Sequence, residues 1–183
     1  AQGDAIVRKQ IADNLNIRFA TAFRPENLYM TVGAAASLCC CLNGLCNPGD
    51  EVIVFAPFFP EYRVFIEGAG AKMTMIPADI EAFQIDFAAF EAAINEKTKL
   101  IAIQRSKGYQ TRPTLSAGRI GVLISFIKMV KPDVICMVDN CYGEFVEVIE
   151  PTDVGADLCV GSLIKNPGGG LAPIGGYIAG KKE

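Results

Sequence analysis

The stretch Leu28-Tyr29-Met30-Thr31-Val32-Gly33-Ala34-Ala35-Ala36 contains the succession of residues that predicts the fold. Residues 28–32 favour a short strand, Gly33 interrupts it, and the small apolar residues over 34–46 favour a buried helix. Asn47-Pro48-Gly49-Asp50 is a turn sequence and is expected to end this helix. A strand, a glycine and a helix in immediate succession are typical of alternating α/β proteins.

The same alternation extends outward from this stretch through the whole chain. Apolar residues at helical spacing predict a first helix over residues 3–19. Further helices are predicted over residues 62–68, 86–95 and 116–130, and further strands over 52–55, 72–76, 100–103, 134–138, 158–160 and 176–179. The pattern predicts a three-layer α/β/α fold with a mostly parallel sheet, and 183 residues fit a single domain.

Composition and charge narrow the classes of function. A net charge of −3 offers no basic surface for nucleic acid or for an anionic membrane, so small molecules are the expected partners. The longest apolar stretches are far too short to span a bilayer, and we expect a cytoplasmic protein. The chain has seven cysteines, an odd number, and no histidine, so we expect reduced core thiols and no metal site.

Five residues follow predicted strands at positions where ligands gather in parallel sheets: Gly33, Pro57, Gln104, Asp139 and Ser162. Ligands of such sheets bind in the crevice beyond the carboxyl ends of the strands. Because these residues come from five separate strands, one crevice is expected to collect them.

Two motifs near this edge carry groups that pyridoxal phosphate requires. Val138-Asp139-Asn140-Cys141-Tyr142 ends an apolar strand, and Gly161-Ser162-Leu163-Ile164-Lys165 follows the next one. This cofactor needs an amine for a Schiff base and an anion at its ring nitrogen. Burial of Lys165 is expected to lower its pKa and increase the share of free amine. The alternatives are a surface lysine, a turn or cap acid at Asp139 and a core tyrosine at Tyr142.

Further residues are candidates for holding the phosphate and the ring. The backbone N–H groups of Ala34, Ala35 and Ala36 are expected at a helix N-terminus, where they favour an anion, and Ser162 adds a hydroxyl. Phe59 is placed to stack on a flat ring. The alternative is that the alanines pack the helix against the sheet and that Phe59 is plain core.

These motifs resemble two branches of one family. Residues 1–100 resemble class I/II aminotransferases of pyridoxal-phosphate fold type I, through Tyr29-Met30-Thr31-Val32-Gly33-Ala34-Ala35-Ala36-Ser37-Leu38 and Pro57-Phe58-Phe59-Pro60-Glu61-Tyr62. Residues 101–183 are similar to the methionine gamma-lyase-related aluminium resistance proteins, through Gln104-Arg105-Ser106-Lys107-Gly108-Tyr109, Val138-Asp139-Asn140-Cys141-Tyr142-Gly143-Glu144-Phe145 and Gly161-Ser162-Leu163-Ile164-Lys165-Asn166-Pro167-Gly168-Gly169-Gly170.

The resemblance implies the large domain of a pyridoxal-phosphate-dependent enzyme that acts on an amino acid by aminotransferase or carbon–sulfur lyase chemistry. It implies that Lys165 is the Schiff-base lysine, Asp139 the ring-nitrogen partner, Tyr142 the contact to the phenolic oxygen and Phe59 the stacking residue. Ser162 and the amides of Ala34, Ala35 and Ala36 would then hold the phosphate.

The chain also departs from the family pattern. Gln104-Arg105-Ser106 stands where aminotransferases have an Asn-Pro-x-Gly loop, and no arginine follows Lys165 closely. The sequence ends at Glu183, before the small domain of both branches. We therefore expect a chimera or truncated protein with a seam near residue 100, and self-association through uncovered apolar faces. The alternatives are a chimeric or engineered scaffold without turnover and a doubly wound nucleotide-binding domain. Arg105 and Arg112 are expected to be available, solvated cations.

Overall fold

The computed structural model describes residues 2–79, 84–108 and 111–180, and most predicted elements are confirmed to within two or three residues. The helices are α1 (Ala5–Phe19), α2 (Ala34–Leu45), α3 (Tyr62–Gly68), α4 (Phe87–Ala93) and α5 (Ala117–Val130). The strands are β1 (Leu28–Thr31), β2 (Glu51–Phe55), β3 (Lys72–Ile76), β4 (Ala78–Asp79), β5 (Gln84–Ile85), β6 (Thr98–Gln104), β7 (Ile135–Asp139), β8 (Leu158–Ser162) and β9 (Gly176–Gly180).

Seven strands form one sheet in the order β1-β9-β8-β7-β6-β2-β3. The five strands from β8 to β3 are parallel, whereas β9 is antiparallel to both β8 and β1. The predicted α/β fold with a mostly parallel sheet is thereby confirmed. The direction of β9 was not predicted. It follows from the connection after β8, which contains turns and no crossover helix, so the chain returns beside the strand it has just left.

The hydrophobic core consists of two layers, one on each face of the sheet. On one face, Val52, Val54 and Leu100 pack under α2 and α3. On the other, Ile53 and Ile101 pack under α4 and α5. Neighbouring strand residues alternate between the faces, and because helices cover both faces these strands are apolar throughout.

The short hairpin of β4 and β5 was not predicted, because two-residue strands are too short to show a period in the sequence. Among the helices of the described residues, none combines the length and the hydrophobicity that a bilayer crossing requires.

Candidate active site

The predicted residues lie at one edge of the sheet. Asp139 and Ser162 end the neighbouring parallel strands β7 and β8, and Gln104 ends β6 directly opposite Asp139. The loop that carries Phe59 leaves β2 at the same edge. The parallel topology therefore brings these strand ends to one edge of the sheet, where ligands of parallel sheets bind.

Asp139 is buried and held in a fixed orientation by two hydrogen bonds. Its Oδ2 accepts a hydrogen bond from the Tyr62 hydroxyl at 2.6 Å, and its Oδ1 accepts one from the Cys141 backbone N–H at 3.1 Å. Burial raises the pKa of Tyr62 well above its ordinary value, and the charge of Asp139 adds to the effect. Tyr62 therefore remains a protonated donor. A carboxylate has about four acceptor positions, so Asp139 can also accept a ring N–H.

Sequence reasoning did not predict Tyr62 as a site residue. It lies in the first turn of α3, 77 residues from Asp139 in the chain, and nothing local indicates the pairing. The available signal was general: a buried tyrosine usually finds a partner for its hydroxyl. Tyr62 also positions Phe59, whose ring meets it edge-on with centroids 6.1 Å apart. The Phe59 N–H donates to Gln104 Oε1 at 2.7 Å, which ties this loop to β6.

Lys165 lies beside Tyr142, with Nζ 4.5 Å from the centroid of the tyrosine ring. Burial lowers the pKa of Lys165, but Cys141, Tyr142 and Asp139 together outweigh burial and leave it raised. The predicted lowering of this pKa is therefore wrong in the structure, because the amine is only half-buried and its neighbours favour the ammonium form. Because Asp139 is one of the groups that raise the pKa of Lys165, the two side chains lie within electrostatic reach of each other.

The turn that carries Tyr142 is built on a buried arginine. We call residues 139–150 the ledge. Arg105 is only 1% exposed, and it forms ion pairs with Glu147 at 2.5 Å and Glu150 at 3.3 Å. Its Nη1 also donates to Asn140 Oδ1 at 2.7 Å. The expectation that Arg105 is a solvated cation is therefore wrong: its partners lie far away in sequence, and only the fold brings them to it.

Through Glu147, its ion-pair partner, Arg105 connects the ledge to α5. Glu147 Oε2 also accepts the N–H of Ala117 in the first turn of α5, at 2.8 Å. A side chain at Gly143 would overlap Arg105, so glycine is needed where the ledge crosses the guanidinium. Tyr142, just before it, has a φ of 67°, which is unfavourable for a non-glycine residue. The ledge therefore holds Tyr142 in a conformation that its own sequence does not favour.

Glu144 is the least satisfied group of the ledge. It is buried, and its Oε1 accepts hydrogen bonds from the Tyr177 hydroxyl at 3.2 Å and the Ser162 N–H at 3.4 Å. Its Oε2 has no hydrogen-bond partner among the described residues. Burial raises the pKa of Glu144, because the charged form is incompletely compensated.

The N-terminus of α2 lies at the same edge. Gly33 precedes the helix with a φ of 147°, and Thr31 Oγ1 forms hydrogen bonds with the Ser37 hydroxyl at 2.7 Å and the Gly33 carbonyl at 3.0 Å. The N–H groups of Ala34, Ala35 and Ala36 belong to the first turn, where no intrahelical acceptor exists for them. Ser162 pairs with Gly176, which pairs with Thr31, so Ser162 lies about 10 Å from β1.

This set of groups fits pyridoxal phosphate. Asp139 is an oriented carboxylate with acceptor capacity left, Lys165 provides an amine three residues beyond the end of β8, and the N-terminus of α2 offers free amides for a phosphate. A Cβ at Gly33 would meet nothing within 4 Å, so the approach to these amides is open. Fold and donor set together agree with one class of protein, the fold type I pyridoxal-phosphate proteins.

Comparison with known proteins agrees with this class. The family described as "Methionine gamma-lyase" matches residues 63–183, and the family described as "Aminotransferase class I and II" matches residues 1–106. Each match covers more than half of the chain. The chain therefore belongs to the fold type I pyridoxal-phosphate-dependent proteins of these two families.

Individual relatives match across both halves. The chain is 45% identical to the uncharacterized protein YnbB of Bacillus subtilis over 78% of this chain and 36% of YnbB. A Listeria monocytogenes structure, described as a candidate cystathionine beta-lyase involved in aluminum resistance, is 38% identical with a TM-score of 0.82 over 98% of this chain and 46% of its own. An amino transferase structure from Eubacterium rectale is 36% identical with a TM-score of 0.80, over 98% and 47%. The chain spans less than half the length of each of these proteins.

Proposed function

We propose that this chain is the cofactor-binding part of a pyridoxal-phosphate-dependent amino-acid enzyme with aminotransferase or carbon–sulfur lyase chemistry. The observation that carries the proposal is the buried Asp139 carboxylate, oriented by the Tyr62 hydroxyl and the Cys141 N–H at the edge of the sheet where the segment that carries Lys165 leaves β8. A surface lysine and a capping acid, the alternative interpretation of the sequence, do not account for a buried carboxylate fixed from two sides.

When bound, pyridoxal phosphate supplies an electron sink that stabilises negative charge at the α-carbon of an amino acid. Asp139 would hold the proton on the ring nitrogen, and Phe59 would lie against the ring. Tyr142 would donate to the phenolic oxygen, while Ser162 and the amides of Ala34, Ala35 and Ala36 would hold the phosphate.

Lys165 has the catalytic role in this proposal. Its Nζ would hold the cofactor through the aldehyde carbon. Once the amino group of the substrate takes its place there, the freed amine would move the proton at the α-carbon of the substrate. Because the pKa of Lys165 is raised before the cofactor binds, the nucleophilic free amine is a minor species at neutral pH. We therefore expect attachment of the cofactor to become faster as the pH rises.

The test is titration with pyridoxal phosphate, reduction with borohydride and mapping of the labelled peptide. We expect a single label on Lys165, formed faster at higher pH. Lys165→Ala should remove the label, whereas Lys107→Ala, which removes an exposed lysine at the same edge, should leave it unchanged. A label spread over several lysines, or retained in Lys165→Ala, contradicts the proposal.

The second candidate is a scaffold that binds the cofactor without turnover. It is favoured by the absence of an arginine close after Lys165 in the sequence, since the family uses that residue for the phosphate. Release of a keto acid from an amino acid by the protein loaded with pyridoxal phosphate and not reduced with borohydride separates the two candidates: turnover supports the enzyme, and attachment without turnover supports the scaffold. A seam near residue 100 and a cytoplasmic location stay predictions.

We also propose that the chain forms a homo-oligomer. Large apolar side chains are exposed on the ledge and on the loop after Lys165, with Val148 at 87% and Leu171 at 92%. Such surfaces usually mark contacts with another part of the protein or with another subunit. Sedimentation velocity at increasing concentration tests this point, and a monomer throughout the range contradicts it.

A further inference from the structure

A cavity of about 650 Å³ lies at the carboxyl ends of β2 and β6, on the face of the sheet that α4 and α5 cover. Its wall includes Ile103 and Leu123, which belong to the core beneath these helices. Asp139 instead contacts Tyr62 of α3 on the other face, and neither Asp139 nor Lys165 is among the described residues that line the cavity. The cavity thus adjoins the candidate active site at Gln104, which lines it and also accepts the Phe59 N–H, but the reactive pair of that site lies outside it.

The wall of this cavity is mainly apolar. Phe55, Leu115 and Met75 contribute to it, and Phe87 and Val122 form part of its rim. Met75, Phe87 and Val122 remain 51%, 41% and 70% exposed, so the structure leaves this apolar surface uncovered. Volumes of roughly 300–1,000 Å³ with apolar walls and few polar groups are usual for small-molecule sites.

The charge of the wall has one sign. Among the described residues that line the cavity, only Arg112 and Arg119 carry a charge. Arg112 donates to the carbonyls of Pro113 at 3.0 Å, Gln104 at 2.9 Å and Ser106 at 2.5 Å. These acceptors are neutral. Within the described part of the chain, no carboxylate lies within 4.0 Å of either guanidinium, although seven such ion pairs form elsewhere.

Arg112 is half-buried rather than solvated as the sequence suggested, and burial lowers its pKa. A cation that is withdrawn from water without an anionic partner is unfavourable, and an added anion relieves that cost. An apolar wall, a cavity of ligand size, a half-buried cation without an anionic partner among the described residues and a second, exposed cation therefore indicate the same kind of occupant.

We propose that this cavity binds an amphipathic organic acid, with its carboxylate at Arg112 and Arg119 and its apolar body between Met75, Phe87 and Val122. The charge selects an anion over a neutral molecule of the same length. The apolar wall selects a chain or ring over a small, strongly hydrated anion.

Calorimetric titration with octanoate tests the proposal, with 1-octanol as the neutral molecule of the same chain length and acetate as the acid without an apolar body. We expect octanoate to bind with one site per chain and at least about tenfold more tightly than either control. Absence of octanoate binding, or equal binding of octanol, overturns the proposal.

Two variants on α5 locate the site. Val122→Glu places a carboxylate on the rim and should weaken octanoate binding by about tenfold or more through charge repulsion. Met129→Glu introduces the same charge at an exposed position of the same helix that does not line the cavity, and should leave binding unchanged. Equal effects of the two substitutions overturn the assignment. Circular dichroism of both variants shows that the fold is kept.

Two further measurements separate this cavity from the candidate active site. Lys165→Ala should keep full octanoate binding, and saturation with pyridoxal phosphate should not displace octanoate. Loss of octanoate binding in Lys165→Ala, or competition with pyridoxal phosphate, places the acid at the other site and overturns the proposal. Arg119→Gln should weaken octanoate several-fold and leave octanol unchanged.

Discussion

The ledge and the cavity lie at the same edge of the sheet, and each is in contact with an arginine from the segment that follows β6 or ends it. Arg105 is fully enclosed and paired with two glutamates, whereas Arg112 is half-buried and, among the residues that the structure describes, bonded only to neutral carbonyls. The difference shows that burial of a positive charge has two uses here. A compensated charge fixes the backbone around it, and an uncompensated charge is available to a ligand.

The comparison predicts unequal effects of the same substitution at the two arginines. Arg105→Met leaves Glu147 and Glu150 without their partner and frees the ledge, so we expect a loss of about 3 kcal/mol in the free energy of unfolding. Arg112→Met removes hydrogen bonds to carbonyls that water can partly replace, and should cost about 1 kcal/mol. Urea unfolding of both variants measures the difference. Equal losses would mean that the ledge does not depend on a compensated charge.

Loss of the hydrogen bond between Tyr62 and Asp139 is expected to cause the next largest decrease in the free energy of unfolding. Tyr62→Phe leaves a buried carboxylate oxygen without this donor, and should lower the free energy of unfolding by roughly 1.5–3 kcal/mol. Tyr29→Phe, which removes a hydroxyl from an exposed tyrosine of β1, is the control and should have little effect. Thermal unfolding compares the two. If both variants match the original protein, the 2.6 Å contact does not orient Asp139.

Glu144 extends the comparison of compensated and uncompensated charges to the ledge itself, because its buried carboxylate has a partner at only one of its two oxygens among the described residues. Its folded-state pKa is raised above its ordinary value of 4.5, so its stabilising contribution is present below that pH and is lost as the pH rises through the folded pKa. Glu144→Gln should therefore raise the free energy of unfolding by roughly 1 kcal/mol at neutral pH, and by less at pH 4.

The control for Glu144 is Glu91→Gln on the exposed surface of α4, which should leave stability unchanged at both pH values. Urea unfolding at pH 4 and pH 7 gives the comparison. A gain that is the same at both pH values would show that the ionisation of Glu144 is not its cause.

The smallest expected effect is the low reactivity of the Cys141 thiol in the ledge. Burial and the charge of Asp139 raise the pKa of Cys141 to about 12, which leaves roughly one thiolate in ten thousand at pH 8. Iodoacetamide should therefore label the exposed Cys40 in the folded protein and label Cys141 only after unfolding. Peptide mapping of the time course decides this, and similar rates at both residues would show that the ledge opens readily.

The sequence predicted the bounds of an element best where turn residues flank it. The bounds of α3 and β3 coincide with the prediction, because each has a glycine or proline near its ends. The pairing of β4 with β5 and the antiparallel direction of β9 were not predicted, since neither a two-residue strand nor a strand's direction is written in local periodicity.

For the candidate site, the sequence likewise predicted the residues but not their surroundings. Asp139, Ser162 and Lys165 were located from strand ends and motifs, and the parallel sheet brings those strand ends to one edge. Their environments were not predictable. Tyr62 lies 77 residues from Asp139, and the partners of Arg105 lie 42 and 45 residues from it. The direction of the Lys165 pKa shift depends on Cys141 and Tyr142 around the amine, which a pattern of residue types does not contain.

By itself, the sequence determined the layered α/β architecture, the edge at which ligands gather and the residue types offered there, because these follow from local periodicity and from the geometry of parallel strands. Only the tertiary structure decided which charges are compensated, which tyrosine orients Asp139 and where an uncovered cavity remains. Burial and electrostatic pairing arise from contacts between residues that are distant in the chain, and these contacts exist only once the layers have packed.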